Sequence, residues 1–381
     1  MKHHLLIESS VLEDPQRTGV GYFTACLAEA MEKCSDDLRV SYLWLNFMGR
    51  KRPRSTIVSH AAQRHDLSQL RGIPQRLYAK LVYARLAPPL IGPAADWILF
   101  PNFYLWPVLG PARTAVIIHD LCFLVHPEYV EEKNRRFLQR VVTRSIEHAD
   151  LIIANSQFTN HELQRVYHLP ADRIVTIDIP VEPGVFTKDH DKGRAYLASR
   201  YGITKNYILT FGTIEPRKNI ETLVDAYCAL PDDLRQRYSL VLAGKWGWKI
   251  EALKQHVAEL RAAGYDIIAP GYIEHDDKAS FYLDASFYAI TSHYEGFGMP
   301  LLEALHCGLP TLANDIPVFR EVGGNDGCVW ASGVTDTTQQ LEMLLRSPKL
   351  ARAVAKAGKK RAQGYSWPKA AQVIYKRMFS P

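Results

Sequence analysis

The sequence predicts an α/β protein built from two parallel-sheet domains, and three observations carry that expectation. Its 381 residues exceed what one ordinary hydrophobic core organises. Both halves alternate short apolar, β-rich runs with longer helical stretches, the pattern of parallel sheets covered by helices on both faces. At Pro180-Val181-Glu182-Pro183-Gly184 proline and glycine interrupt that periodicity and mark the break between the halves.

In the first half, strands are expected at 4–8, 40–45, 97–100, 114–119, 151–155 and 174–179. In the second they are expected at 207–211, 240–243, 266–269, 288–291, 311–313 and 328–331. Helical patterns fall between most of them, as at 131–147, 220–229, 248–262 and 341–361. Two such blocks imply two Rossmann-like domains. There is no short-period repeat and no low-complexity tract.

Composition is ordinary for a globular protein, at 47% hydrophobic and 23% charged, with 22 prolines dispersed along the chain. None of the six cysteines forms a C-x-x-C pair. Neither a zinc site nor a disulfide framework is implied, and buried reduced thiols are expected. The start, Met1-Lys2-His3-His4-Leu5-Leu6-Ile7-Glu8, has too short an apolar stretch to read as a signal peptide. No run approaches the ~20 apolar residues that span a bilayer. A soluble cytoplasmic protein, at most peripheral on the inner face of the cytoplasmic membrane, is the expectation.

The net charge of +6 is concentrated locally. Arg50, Lys51, Arg52, Arg54, Arg64, Arg71, Arg76, Lys80 and Arg85 face a single acid, Asp66, over that stretch. Residues 77–86 read as a helix mixing aromatic, aliphatic and basic side chains. Such a helix suits an anionic membrane surface or a pyrophosphate; a solvated basic face is the alternative. Nothing else in the chain supports nucleic-acid binding.

Ligands of open α/β sheets bind at the carboxyl ends of strands, beside helix N-termini. Polar and glycine residues follow strands in both halves, which suggests one site in a cleft between the domains. After 207–211 comes Gly212-Thr213-Ile214-Glu215-Pro216-Arg217-Lys218-Asn219. Arg217 offers a planar fork of donors to phosphate oxygens and Lys218 adds a point charge, with a helix start behind them. An exposed basic turn is the bland alternative.

After 288–291 comes Ser292-His293-Tyr294-Glu295-Gly296-Phe297-Gly298-Met299-Pro300, which opens a helix carrying Glu303. Glu303 suits a ribose diol, and Glu295 suits sugar hydroxyls or developing positive charge at an anomeric carbon. Otherwise they are a helix-turn acid and a loop acid. His119-Asp120 ends an apolar strand, where a histidine donates to a sugar, acts as acid or base, or is structural. Gly19 and Gly21, in Thr18-Gly19-Val20-Gly21-Tyr22, permit close backbone approach to a ligand. The third glycine of a dinucleotide fingerprint is missing, since Thr24 stands there. Asp189-His190-Asp191 matches a D-x-D metal pattern but falls in the linker and is taken as chance.

With these residues in hand, the chain resembles a retaining glycosyltransferase of the GT-B fold, in the family-four group that includes bacterial mannosyltransferases of surface-polysaccharide assembly. The likeness runs over nearly the whole chain. It takes in the 18–22 glycine motif, His119-Asp120, Asn155-Ser156-Gln157-Phe158-Thr159, the 212–219 motif and the Glu295/Glu303 pair. It continues through Cys307-Gly308-Leu309-Pro310-Thr311, Glu321-Val322-Gly323-Gly324 and Tyr365-Ser366-Trp367. One departure is the stretch Gly327-Cys328-Val329-Trp330-Ala331, where the family often runs toward an Asp-Pro turn.

The resemblance implies two Rossmann-like domains facing a central cleft. Residues 1–183 would form an acceptor domain and 184–364 a nucleotide-sugar donor domain, with a helix in 365–381 crossing back to the first. It implies that Arg217 and Lys218 bind the donor diphosphate, Glu303 holds the ribose, and Glu295 with Gly296, Phe297, Gly298, Met299 and Pro300 holds the transferred sugar. Gly212 and Thr213 belong to the same donor site, His119 approaches the donor sugar, and Gly19 and Gly21 lie by the phosphates and the acceptor. No metal or other cofactor is implied. GDP-mannose is the implied donor, with UDP-sugars the main alternative, and the acceptor is a glycan on a lipid pyrophosphate.

Rival readings are a nicotinamide dehydrogenase, which lacks its full glycine fingerprint here, a GT-B epimerase or phosphorylase, and a non-catalytic nucleotide-sugar binding subunit.

Overall fold

The computed structural model describes residues 3–13, 19–45, 53–70, 77, 81, 86, 90–91 and 94–380. The chain divides into two compact units, Met1–Glu182 with Ser366–Pro381, and Pro183–Tyr365.

The first unit is built on a seven-stranded parallel sheet. Its strands are β1 (His3–Glu8), β2 (Leu38–Leu45), β3 (Leu67–Leu70), β5 (Trp97–Phe100), β7 (Arg113–Ile118), β8 (Leu151–Ala154) and β9 (Ile174–Thr176), in the order β3-β2-β1-β5-β7-β8-β9. A separate pair, β4 (Leu90–Ile91) and β6 (Val108–Leu109), is also parallel. The central strands are apolar and buried throughout, as in Trp97–Phe100 and Leu151–Ala154. That is why they read as continuous apolar runs: helices cover both faces of such a sheet.

The second unit carries a six-stranded parallel sheet of β10 (Asn206–Phe211), β11 (Tyr238–Ala243), β12 (Ile267–Gly271), β13 (Phe287–Ile290), β14 (Thr311–Asn314) and β15 (Val329–Ala331). Their order is β12-β11-β10-β13-β14-β15. Strand order reverses between β10 and β13, which are hydrogen-bonded neighbours with Ile208 opposite Phe287. In a doubly wound sheet this reversal opens a crevice at the carboxyl ends of the two strands, because their helices leave to opposite faces. The motifs at 212–219 and 292–300 follow these two strands.

The two-domain α/β expectation holds, with local differences. The helix expected over 341–361 is two helices, Gly333–Arg346 and Pro348–Ala362. Ser347 breaks it by capping the second helix, its hydroxyl accepting from Leu350 N at 3.3 Å, and Pro348 suits that helix's first position. Strands β3, β4 and β6 were not anticipated; they are only two to four residues long. The six cysteines are free, but only Cys122 and Cys328 are buried, and the other four are half-buried. Within the first unit, helix Trp367–Phe379 is held by Trp97 Nε1 donating to Met378 O at 2.9 Å and by Trp367 Nε1 donating to Val181 O at 3.0 Å.

Arg50, Lys51, Arg52, Arg71, Arg76, Lys80 and Arg85 lie outside the described residues, as does most of 77–86, and so does Thr18. Arg64, which is described, pairs with Glu32 at 2.6 Å. Among the described residues no helix is long and apolar enough to cross a membrane.

Candidate active site

In the second unit, β10 ends at Phe211 and the chain turns through Gly212 and Thr213 into a short 3-10 helix, Pro216–Lys218. Gly212 has φ +131 and Gly244, after the neighbouring β11, has φ +155. A Cβ on Gly244 would lie 1.8 Å from Gly212 O, so the two strand-end loops touch through bare backbone. The 3-10 helix ends on Asn219 in the left-handed region, φ 49, which asparagine tolerates better than most residues. Thr291 at the end of β13 donates to Asn219 O at 2.8 Å, and His293 N donates to Arg217 O at 2.9 Å. These bonds fix the Arg217-Lys218 turn to the Glu295 loop across the reversal point.

The side chains then meet. Glu295 is buried at 6% exposure, with Lys218 Nζ 2.5 Å from Oε1, Ser292 Oγ donating to the same oxygen at 3.0 Å, and Arg217 Nη1 on Oε2. Arg217 continues to Tyr294 O at 3.1 Å and to Glu215, Nη2 lying 2.6 Å from Oε1. Burial alone would raise the Glu295 carboxyl. The two cations and their hydrogen bonds outweigh it and hold the group down at about 2. The sequence reading gave Arg217 and Lys218 one duty and Glu295 another; the structure joins them in one ion network.

Glu303 lies on helix Met299–Cys307, which starts after Gly298 with Pro300 in its first turn. Gly298 has φ +92, and a Cβ there would meet the Phe319 ring at 2.7 Å, so packing and dihedral both call for glycine. Gly296, Phe297 and Gly298 are buried, and the Phe297 ring packs edge-on against Tyr365 at 5.8 Å. Glu303 is also buried, and Lys278 Nζ pairs with its Oε1. The Lys278 ammonium stands over the rings of Phe186 and Phe211 at 5.5 and 5.8 Å.

Glu215 and Lys278 were not singled out from sequence. Glu215 stands inside the 212–219 motif and was legible as a partner for Arg217. Lys278 is 25 residues before Glu303 on a six-residue helix, with no spacing signal to link them.

Of the remaining candidates, His119, Gly19 and Gly21 are in the first unit and Asp189-His190-Asp191 is in the second. His119 follows β7, half-buried between the rings of Phe23 at 5.3 Å and Phe103 at 5.2 Å, with Nε2 2.8 Å from Pro101 O. Burial pushes its imidazole down to about 4, against the smaller opposing effect of the Pro101 carbonyl. The ring is therefore neutral at pH 7, Nε2–H donates to Pro101, and Nδ1 is left as an acceptor. Donation to a sugar from this tautomer is closed. Gly19 and Gly21 form the first turn of helix Gly19–Glu32 rather than a loop before it, and a Cβ on Gly19 would meet nothing within 4 Å. Asp189-His190-Asp191 begins in a 3-10 turn, and Asp191 Oδ1 accepts from Gly193 N at 2.8 Å, a local turn bond.

Comparison with known proteins bears on both units. The Glycosyltransferase Family 4 model matches residues 17–184 and the Glycosyl transferases group 1 model matches residues 199–361. An O-antigen chain mannosyltransferase B of Escherichia coli is 35% identical over 229 residues, covering 60% of this chain and 59% of that protein. A serotype-specific mannosyltransferase WbdA of Escherichia coli is 30% identical over 267 residues, 69% of this chain and 33% of that protein. The chain thus matches less than two thirds of these relatives' length. Anabaena Alr3699/HepE, solved with UDP and glucose, superposes over 100% of both chains with a TM-score of 0.69 at 16% identity. WaaG, a glycosyltransferase of lipopolysaccharide biosynthesis, gives 0.66 at 12% identity over 99% of this chain and 100% of its own. These likenesses establish the fold as that of the GT-B glycosyltransferases. With one family model filling each of its two Rossmann-like halves, the chain belongs to the glycosyltransferases of Family 4 and group 1.

Proposed function

We propose that this glycosyltransferase moves a mannosyl residue from GDP-mannose to a growing glycan, with retention at the anomeric carbon and without a metal ion. The observation that carries the reading is the Arg217–Lys218 pair, held by Glu295 at the reversal point of the second sheet. Mannose as the sugar rests on the two O-antigen mannosyltransferases that the chain resembles. A lipid-pyrophosphate carrier for the acceptor, and contact with an anionic membrane through the 50–85 segment, complete the proposal.

In this reading the bond between the anomeric carbon and the β-phosphate oxygen breaks first. The departing diphosphate gains negative charge, which Arg217 and Lys218 meet more strongly in the transition state than in the ground state. They supply the charge that a metal ion supplies elsewhere. Glu295 orients the two cations and faces the sugar as it becomes oxocarbenium-like, and Glu303 accepts from the ribose hydroxyls. The acceptor hydroxyl attacks on the face the diphosphate leaves, and its proton passes to the leaving phosphate oxygen. His119, neutral and without a free donor, offers a sugar hydroxyl only its Nδ1 lone pair.

A donor panel tests this. GDP, UDP and ADP are compared by thermal shift, followed by transfer assays with the matching sugars, with and without a chelator. The expected result is protection by GDP, chelator-resistant transfer from GDP-mannose, and an α-linked product. Selective protection by UDP, an inverted product, loss of turnover on chelation, or a glycosyl adduct on Glu295 would each overturn the corresponding part.

A further inference from the structure

Two tyrosines beside Glu303 have no part in the mechanism above. Tyr282, on helix Lys278–Leu283, and Tyr288, on β13, are both fully buried, with ring centroids 5.8 Å apart and planes at 23°. Phe186 and Phe211 pack on Tyr282 at 5.4 and 5.2 Å, completing an aromatic layer. Neither phenolic oxygen makes a hydrogen bond of normal geometry, although the Tyr282 hydroxyl lies close enough to Glu303, and the Tyr288 hydroxyl to Tyr282, for each pair to interact. A buried hydroxyl without a well-formed hydrogen bond destabilises a fold, and phenylalanine would fill the same space without that cost. Two side by side ask for a use.

Their surroundings point to one. Burial pushes both phenols up, and the charge of Glu303 pushes both further. Glu303 therefore has two donors near it: the Lys278 ammonium, which it uses through Oε1, and the Tyr282 hydroxyl, whose bond to it is not fully formed.

We propose that Tyr282 and Tyr288 are positioning residues for Glu303. When the carboxylate turns from Lys278 to accept from the donor's ribose hydroxyls, the Tyr282 hydroxyl becomes its internal donor, and Tyr288 in turn donates to Tyr282. The phenols then hold Glu303 ionised and aimed, and discrimination for ribose over deoxyribose depends on them. This inference rests on the reading of Glu303 as the ribose-binding acid.

The experiment measures affinity for GDP and 2′-deoxy-GDP, and for the UDP pair in parallel, in the wild type, Tyr282→Phe, Tyr288→Phe, Glu303→Ala and the Tyr282→Phe/Glu303→Ala double variant. Tyr282→Phe should weaken the ribonucleotide roughly tenfold, the value of one hydrogen bond to a charged group, and bring the ribo-to-deoxy ratio toward one. Turnover at saturating donor should change less than about twofold, since the lost contact is uniform between ground and transition states. Melting temperature should not fall, because only a hydroxyl without a well-formed hydrogen bond is removed. In the Glu303→Ala background the same substitution should add nothing. Full ribose discrimination in Glu303→Ala would sink the ribose reading and this inference with it. Loss of discrimination there, with wild-type affinity and ratio in both phenylalanine variants, would sink this inference alone.

Discussion

Glu295→Gln isolates the ion network with the smallest change of shape. The carboxyl is held at about 2 against an ordinary value of 4.5. At 1.36 kcal/mol per unit, that difference makes the charged form worth about 3 kcal/mol to the folded state. Breaking a buried pair from one side costs ~3–5 kcal/mol, because the other charge stays buried, and Lys218 is only 8% exposed. The two routes agree. For a unit the size of Pro183–Tyr365, about 3 kcal/mol corresponds to a fall of about 6–12 °C in melting temperature. Since a depressed carboxyl contributes fully above its unfolded value, the gap between wild type and variant should be complete at pH 7. It should close as pH falls from about 4.5 toward 2.

The substitution also bears on ligand binding. In the wild type a diphosphate must share Arg217 and Lys218 with the Glu295 carboxylate; in the variant the two cations lack that partner. GDP should therefore raise the melting temperature of Glu295→Gln by several degrees more than it raises that of the wild type, although transfer activity is lost. The assay is a thermal shift at pH 7 with and without GDP, repeated down to pH 3. A variant melting within about 2 °C of wild type would refute the energetic argument. An equal or smaller GDP shift would refute the claim that carboxylate and diphosphate compete for the same cations.

Glu8, buried at the end of β1, is the opposite case: burial raises its carboxyl to about 7, only partly offset by the Ser10 hydrogen bonds. Stability should fall as pH rises from 4.5 to 7, and Glu8→Gln should remove that slope and stabilise the protein by about 3 kcal/mol at pH 8, read by urea unfolding. Gly244→Ala, whose Cβ would stand 1.8 Å from Gly212 O, should prevent the second unit from folding. Gly202→Ala at φ +72 meets nothing within 4 Å and should cost only about 1–2 kcal/mol; comparable urea midpoints for the two would refute the close-approach argument. The His119 ring should show no titration by NMR between pH 5.5 and 8, so a break in the activity profile there that disappears in His119→Gln would contradict its neutral assignment.

What was legible in the sequence, and what was not, follows from the physics of parallel sheets. Strands buried on both faces announce themselves as apolar runs, and ligand-facing loops must follow their carboxyl ends. Arg217, Lys218, Glu295 and Glu303 therefore stand out as candidates from local pattern. Which loops meet is a matter of strand order, and no local pattern encodes it. The loops after β10, β11 and β13 looked alike in sequence, each with glycine and polar residues. The reversal in β12-β11-β10-β13 makes the difference. It sets Arg217-Lys218 against Glu295, 77 and 78 residues away, and leaves Gly244 to support the Gly212 turn with bare backbone. The same reasoning explains Lys278. It reaches Glu303 from the short helix before β13, and that helix lies against the site only because β13 is the strand at the reversal. A cation placed by topology has no sequence signature of its own, while acids at the start of a helix do. Substitutions at Lys278 should therefore act through Glu303, raising the donor KM while leaving folding intact, where substitutions at Gly244 act through the fold itself.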